Sequence, residues 1–152
     1  MSFDVVLQYY NEDGSTQGIC VSQSKIQEGG TQIVGGTSNC ELNITYNYST
    51  LYRLTLDREA GLRWLDGKTG TETIGRLENA VELLGTNQYE RTVDNCDRCG
   101  FHTGIGDGLA DPYSKENRRH DYWAPTAGNA GYALNILLGW AKENPDGKWW
   151  GD

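Results

Sequence analysis

The stretch that decides the fold is CELNITYNY, residues 40–48, in which apolar and polar side chains alternate. Successive side chains of an extended strand lie on opposite faces, so the stretch divides into two sets. The apolar set consists of Leu42, Ile44, Tyr46 and Tyr48. The polar set consists of Glu41, Asn43, Thr45 and Asn47. This period of two is typical of an antiparallel sheet with one face on the core, and it predicts a strand over residues 40–48.

Two further strand patterns come before this stretch. Residues 3–10, FDVVLQYY, place apolar side chains at alternate positions and lead into the turn sequence NEDG at residues 11–14. After that turn, a second strand is predicted over residues 17–22. Together these strands predict an N-terminal antiparallel sheet of three or four strands.

Helical patterns follow the strands. Residues 50–65 carry mixed signals and are predicted to hold one or two short helices. Residues 71–84 show helical spacing and are followed by Gly85, a residue favoured at helix C-terminal caps. A last helix is predicted over residues 126–142. Strands followed by helices indicate the α+β class, so we expect the sheet to pack against two or three helices.

The chain of 152 residues is long enough to form a single domain, residues 1–152, with its own core. The patterns divide it into mainly strands at 1–49, helical residues at 50–85, a long loop at about 86–125 and a C-terminal helix at 126–143. Loops longer than about 15 residues are uncommon in compact domains and are usually functional or disordered. The final residues, KWWGD at 148–152, are predicted to form an aromatic tail.

The charge of the chain narrows the choice of partners. The formal net charge is −8 at pH 7. An acidic surface disfavours broad binding to nucleic acid or to anionic membranes, and it permits docking on a basic partner protein. The chain shows neither a secretory signal pattern nor an apolar run of membrane-spanning length, which predicts an intracellular, cytoplasmic protein. Trp149 and Trp150 are the aromatic residues most expected to be exposed, and an exposed aromatic patch is compatible with a homo-oligomer.

The main candidate for a ligand site is the sequence KENRRHDYWAPTAGNAGY, residues 115–132. It places cationic and aromatic side chains just before a predicted helix N-terminus, where backbone N–H groups and the helix dipole attract anions. Guanidinium groups match phosphate geometry and aromatic rings stack on bases, so a pocket for a ring-bearing anion is predicted. The residues predicted to bind this ligand are Arg118, Arg119, His120, Tyr122, Trp123, Thr126 and Asn129. The alternative is a solvated charge cluster in which Tyr122 and Trp123 anchor the core and Thr126 is an ordinary N-cap.

The polar face of the strand at residues 40–48 offers two more candidates for ligand binding. Asn43 and Asn47 lie on the same face of an ideal strand there. They can line a site if a helix or a second subunit covers that face. The alternative is that this face is the solvated side of the sheet.

The predicted long loop contains a candidate metal site. Cys96 and Cys99 have the Cys-x-x-Cys spacing that zinc favours, and His102 can supply a third ligand. Cys20 or Cys40 can supply a fourth. A structural zinc ion is therefore one prediction for this loop. The alternative is that the cysteines are plain free thiols, since only one such pair is present.

The chain contains no complete catalytic signature. It lacks the Gly-x-Ser-x-Gly and His-Glu-x-x-His patterns, so no catalytic residue is assigned and an enzyme is not favoured. The sequence GKTG at residues 67–70 is similar to part of a phosphate-binding loop, but its glycine spacing is wrong. We expect a turn and a helix start at that point.

Four segments resemble a small family of uncharacterised phage and prophage-type bacterial proteins. They are LNITYNYS at 42–49, GLRWLDGKTG at 61–70, YWAPTAGNAGYAL at 122–134 and PDGKWWGD at 145–152. The resemblance covers roughly residues 34–85 and 121–152. It implies a viral or mobile-element origin and transfers no known activity. Small phage proteins of this kind often counter host defence by binding a defence protein or by sequestering a nucleotide signal.

These observations favour a phage-type cytoplasmic binding protein of the host cell. Its expected role is counter-defence, by sequestering a phosphate-bearing small molecule such as a signalling nucleotide. The alternative is an acidic protein–protein inhibitor of a host defence protein, in the manner of an anti-CRISPR protein. A small hydrolase of such a ligand is a third possibility. The first function needs a concave pocket, whereas the second needs a flat patch that buries roughly 800 Å² per partner.

Overall fold

The computed structural model describes residues 2–20, 39–87 and 125–151 of the chain. The strands in these ranges are β1 (Ser2–Tyr10), β2 (Thr16–Gly18), β3 (Glu41–Thr45) and β4 (Lys148–Gly151). The α-helices are α1 (Ser49–Thr55), α2 (Gly70–Leu84) and α3 (Ala127–Glu143), and 3-10 helices flank α1 at Tyr46–Tyr48 and Gly61–Leu65. None of the helices in these ranges is long and apolar enough to cross a membrane. An antiparallel sheet combined with helices confirms the predicted α+β class.

β1 is the central strand of the sheet, because it pairs antiparallel with each of the other three strands. Its residues 8–10 pair with β2, residues 2–6 with β3 and residues 5–8 with β4. Val5 and Val6 have partners in β3 and in β4 at once. Both edges of β1 are therefore occupied by other strands.

One face of the sheet packs against the helices and forms the core. The strand residues of this core are Phe3, Val5, Leu7, Leu42, Ile44 and Trp149. α2 contributes Leu77, Ala80 and Leu84, and α3 contributes Ala130, Leu134, Leu137, Leu138 and Ala141. Ala133 and Trp140 of α3 are also buried in the core, so the predicted C-terminal helix is a core helix.

β4 is an element that the sequence analysis did not predict, because residues 148–151 form a strand and not a tail. Trp149 pairs with Leu7 of β1. Its backbone N–H also donates to the Lys68 carbonyl at 2.8 Å, and its carbonyl accepts from the Gly67 N–H at 2.9 Å. The buried indole N–H of Trp149 donates to Oγ1 of Thr73 at 2.9 Å. Residues 148–151 are therefore built into the sheet, and the expectation that Trp149 is exposed is wrong, because its side chain lies in the core.

The strand predicted over residues 40–48 ends earlier, at Thr45. The Thr45 Oγ1 atom accepts a hydrogen bond from the backbone N–H of Asn47 at 3.3 Å, and the chain enters a 3-10 helix there. A polar side chain that bonds the local backbone competes with strand pairing. Tyr48 is still buried after this turn, whereas Tyr46 is half-buried. Alternation in the sequence therefore overestimated the length of the strand.

The second strand is also shorter than predicted. β2 covers Thr16–Gly18, where the sequence predicted residues 17–22. Cys20 then forms an isolated bridge with Asn39, just before β3. Residues 21–22 and most of the long loop predicted at about 86–125 lie outside the described ranges.

α2 begins at the turn that the sequence predicted. Thr69 is its N-cap and accepts a hydrogen bond from the Glu72 N–H, while the Glu72 carboxylate accepts from the Thr69 N–H at 2.7 Å. This reciprocal pair is a capping box. Gly67 supplies the turn before it with a φ of 80°, and Gly85 caps the other end with a φ of 73°. The sequence GKTG is therefore a turn and a helix start, as predicted.

Glycine residues allow α3 to approach the end of α2 closely. A Cβ atom at Gly131 would lie 1.8 Å from the carbonyl oxygen of Gly85. A Cβ atom at Gly128 would lie 1.8 Å from the carbonyl oxygen of Asn87. Because no side chain fits at these distances, glycine at both positions is a condition of this helix packing.

Candidate anion-binding cavity

A turn after α1 folds the chain back towards that helix. The Asp57 carboxylate accepts hydrogen bonds from the backbone N–H groups of Glu59 at 3.1 Å and Ala60 at 2.8 Å. Arg76 of α2 donates to the same carboxylate at 3.1 Å and to the Leu56 carbonyl at 3.3 Å. The bond from Ala60, together with those from Glu59 and Arg76, lowers the pKa of Asp57 below its ordinary value. Asp57 is therefore ionised at neutral pH and holds the turn in place.

Gly61 lets the returning chain lie against α1. Its φ of 57° lies in the left-handed region that glycine adopts easily. Its N–H donates to the Asp57 carbonyl at 2.9 Å. A Cβ atom at this position would lie 3.4 Å from Cγ of Arg53 on α1. The second 3-10 helix starts at Gly61, and Arg63 follows two positions later in that helix.

A cavity of about 320 Å³ lies between α1, the second 3-10 helix and the end of β3. Small-molecule sites span roughly 300–1,000 Å³, so this cavity is at the small end of that range. The side chains that give it chemical character are Phe3, Tyr46, Ser49, Arg53, Glu59 and Arg63. They come from β1, from both 3-10 helices, from α1 and from the Asp57 turn.

Two arginine side chains give the cavity its positive character. Arg53 and Arg63 both line it and both are exposed. Neither side chain forms an ion pair or a hydrogen bond with a residue of the described ranges. A guanidinium group stays charged and carries five N–H donors. Because Glu59 is the acidic residue among the lining side chains, the cavity has an excess of one positive charge in an otherwise acidic chain.

Phe3 and Tyr46 form the aromatic wall of the cavity. Their rings meet edge to face, with centroids 5.3 Å apart and an interplanar angle of 80°. The Arg63 guanidinium carbon lies 5.2 Å from the Phe3 ring centroid, within cation–π range. Phe3 is buried and therefore helps to position Arg63. Tyr46 is half-buried, and its hydroxyl bonds to no residue of the described ranges.

Most of the residues predicted to bind a ligand lie outside the described ranges, namely Arg118, Arg119, His120, Tyr122 and Trp123. Thr126 and Asn129 are described, and both are buried. Thr126 is the N-cap of α3, and its Oγ1 atom accepts a hydrogen bond from the Asn129 N–H at 3.1 Å. This geometry is that of an ordinary N-cap. The pocket predicted over residues 115–132 stays a prediction.

The structure places Asn43 and Asn47 in different surroundings. The Asn43 side-chain amide donates to Oγ of Ser2 at 2.9 Å and to the Asp4 carboxylate. Asn47 lies in the first 3-10 helix and is exposed. Because the chain leaves the strand after Thr45, the two asparagines do not share a strand face. Neither lines the cavity.

The predicted zinc ligands Cys96, Cys99 and His102 also lie outside the described ranges. Across residues 2–20, 39–87 and 125–151, no three His, Cys, Asp or Glu side chains are grouped so that they could hold a metal ion. A structural zinc ion therefore stays a prediction. Of the two cysteines considered as a fourth ligand, Cys20 is exposed and Cys40 is buried.

The Cys40 thiol is expected to resist alkylation in the folded protein while Cys20 reacts. Burial raises the pKa of Cys40 from 9.0 to about 12, and the nearby Glu143 and Cys20 add to this effect. The thiolate is the nucleophile, so iodoacetamide at about pH 8 should label Cys40 only after unfolding in urea. Peptide mass mapping measures this site by site. Equal labelling of the two thiols in the folded protein would contradict the assignment of Cys40 to the core.

The same pKa shift predicts how stability depends on alkaline pH. The folded-state pKa of Cys40 lies above its unfolded value, so unfolding releases a proton once the pH exceeds 9.0. The contribution of the neutral thiol is complete below that pH, and it is lost as the pH rises towards about 12. Cys40 therefore lowers the stability of the fold only in alkali.

No sequence pattern predicted Tyr46, Arg53, Glu59 or Arg63 as site residues. The two arginines come together only because the chain reverses between them. The sequence signals for that reversal are Asp57, whose side chain favours local turns, and Gly61, which accepts a positive φ. Neither signal says which side chains the reversal brings together.

Comparisons with protein-family models, with curated proteins and with solved structures found no match. The resemblance to phage-type proteins therefore stays a prediction from the quoted sequence segments. A function for this chain is therefore argued from the cavity and its charged side chains.

Proposed function

We propose that the chain binds a small phosphate-bearing anion in the cavity between α1 and the second 3-10 helix and holds it without turnover. The observation that carries this proposal is the pair of guanidinium groups, Arg53 and Arg63, which line one cavity without an ion-pair partner among the described residues. A guanidinium group offers two parallel N–H donors to phosphate oxygens, which gives both affinity and orientation.

The surroundings of the two arginines support a bound ligand more than a solvated charge pair. The Arg63 guanidinium is held over the buried ring of Phe3. Gly61 and the Asp57 turn fix the backbone that carries it. A pre-organised donor loses less conformational entropy when an anion binds. The resemblance to phage-type proteins adds the proposal that the anion is a signalling nucleotide of the host, withdrawn from a defence system.

Removal of either arginine of the cavity is expected to weaken anion binding. Inorganic pyrophosphate serves as the probe, and isothermal titration calorimetry on the full chain measures its affinity. Because a hydrogen bond to a charged group contributes about 1.5–3 kcal/mol, Arg53→Ala and Arg63→Ala should each weaken binding about tenfold or more. The melting temperature should change little, since both side chains are exposed.

Arg58→Ala is the matched control for this experiment. Arg58 lies in the same turn and is exposed, but it does not line the cavity. Its removal takes the same charge from the chain. The affinity for pyrophosphate should stay within about twofold of that of the unmodified chain, because exposed charges act weakly at a distance. Absence of binding to the unmodified chain, or equal weakening in all three variants, would refute the proposed site.

A further inference from the structure

Glu59 adds a carboxylate to the cavity, and binding of phosphate alone does not require this group. Its side chain lines the cavity and forms no ion pair within the described ranges. Its backbone N–H is fixed by the Asp57 carboxylate at 3.1 Å, so the start of the side chain is held by the turn. An ionised carboxylate only accepts hydrogen bonds. The cavity therefore suits a ligand that carries N–H or O–H donors besides its negative charge.

Tyr46 supplies a ring on the same cavity. It is half-buried, and its ring meets that of Phe3 edge to face. The Phe3 ring already carries the Arg63 guanidinium, and Tyr52, which also lines the cavity, is buried with its hydroxyl donating to the Ala130 carbonyl at 3.0 Å. Tyr46 is therefore the more accessible ring for a ligand. Aromatic side chains stack on the bases of single-stranded nucleic acid, and this stacking tolerates every base. Stacking on Tyr46 therefore favours a planar ring without selecting which one.

We infer that the ligand is a guanine nucleotide, with its phosphate on Arg53 and Arg63, its ring against Tyr46 and its donor edge on Glu59. This inference rests on the proposed function. Guanine presents a ring N–H and an amino group side by side, and these two donors match the two oxygens of a carboxylate. Adenine places its amino group beside a ring nitrogen that only accepts, and that nitrogen repels a carboxylate. Because a cavity of about 320 Å³ lies at the small end of the range for small-molecule sites, the inference is restricted to a mononucleotide.

The test compares the binding of GMP, AMP and inorganic pyrophosphate to the full chain by calorimetry. GMP should bind about fivefold or more tightly than AMP, because a bidentate base contact discriminates by about that factor or more. Glu59→Gln should remove most of this preference, since the amide offers one acceptor in place of two. The same variant should bind pyrophosphate as well as the unmodified chain does or better, because a negative charge is gone.

Glu82→Gln is the control, because Glu82 is exposed on α2 and does not line the cavity. It should keep the preference for GMP, and melting curves should show that both variants are folded. Equal affinity for GMP and AMP, or a preference that survives Glu59→Gln, overturns the guanine assignment. Pyrophosphate binding that still depends on Arg53 would then leave the proposed function standing. Absence of binding by all three probes overturns both proposals.

Discussion

Gly131→Ala is expected to lower the free energy of unfolding by about 3 kcal/mol or more, at the upper end of what overpacking costs. The new methyl carbon would lie 1.8 Å from the carbonyl oxygen of Gly85 and 2.9 Å from Cβ of Leu84. The first contact is with backbone, so it cannot be relieved by a change of rotamer. α3 must move away from the end of α2, and core contacts between the helices are lost. Urea unfolding followed by circular dichroism measures the change.

Gly139→Ala is the control in the same helix. Among the residues that the structure describes, no atom lies within 4 Å of a Cβ at Gly139 apart from its own helix and chain neighbours. Alanine has the higher helix propensity, so this variant should gain about 0.5–1 kcal/mol. If Gly131→Ala lowers the free energy of unfolding and Gly139→Ala raises it, close helix packing is the reason for glycine at position 131. A loss of less than about 1 kcal/mol for Gly131→Ala would contradict the tight approach of the two helices.

Trp149→Ala is expected to cost about 3–5 kcal/mol, the range measured for large aromatic residues removed from cores. Trp149 is 1% exposed, and its indole N–H donates to Thr73 at 2.9 Å. The substitution empties the space between the sheet and α2, and it also removes this buried hydrogen bond. Guanidinium chloride unfolding, followed by circular dichroism in the far ultraviolet, measures the loss without depending on tryptophan fluorescence.

Trp150→Ala is the matched control, since the same residue type is removed one position later. Trp150 is 44% exposed, because neighbouring residues of a strand face opposite sides of the sheet. Its removal should change stability by about 0.5 kcal/mol or less, as is usual for surface positions. Similar losses for the two tryptophans would argue against the register of β4 described above.

The elements that the sequence predicted well are those whose signals are local. The helix at residues 71–84 was found within one residue, because its apolar spacing and Gly85 at its C-terminal end are signals of the segment itself. The strand at residues 3–10 has an apolar or aromatic side chain at every second position, from Phe3 to Tyr9, and was also found. These patterns depend on neighbours a few positions apart, and such neighbours can be read from the sequence.

The elements that the sequence missed depend on distant contacts. β4 is a strand because β1 and the segment at Gly67 and Lys68 bond to it from both sides. A segment of four residues is too short for an alternating apolar and polar pattern to predict these contacts. The cavity was missed for a similar reason, since Arg53 and Arg63 face one space only after the chain reverses at Asp57. The sequence at residues 115–132 predicted a site because its charged residues are close together in the chain, whereas those of the cavity are not.

The central position of β1 also has a consequence for the order in which the fold can form. The hairpin of β1 and β2 joins neighbours and can close within microseconds. The pairing of Val5 with Gly151 joins residues from opposite ends of the sequence, and such high contact order slows folding towards milliseconds or seconds. Until β4 docks, one edge of β1 remains open to other chains. The partly folded chain is therefore most prone to aggregation during this interval, before β4 pairs with β1.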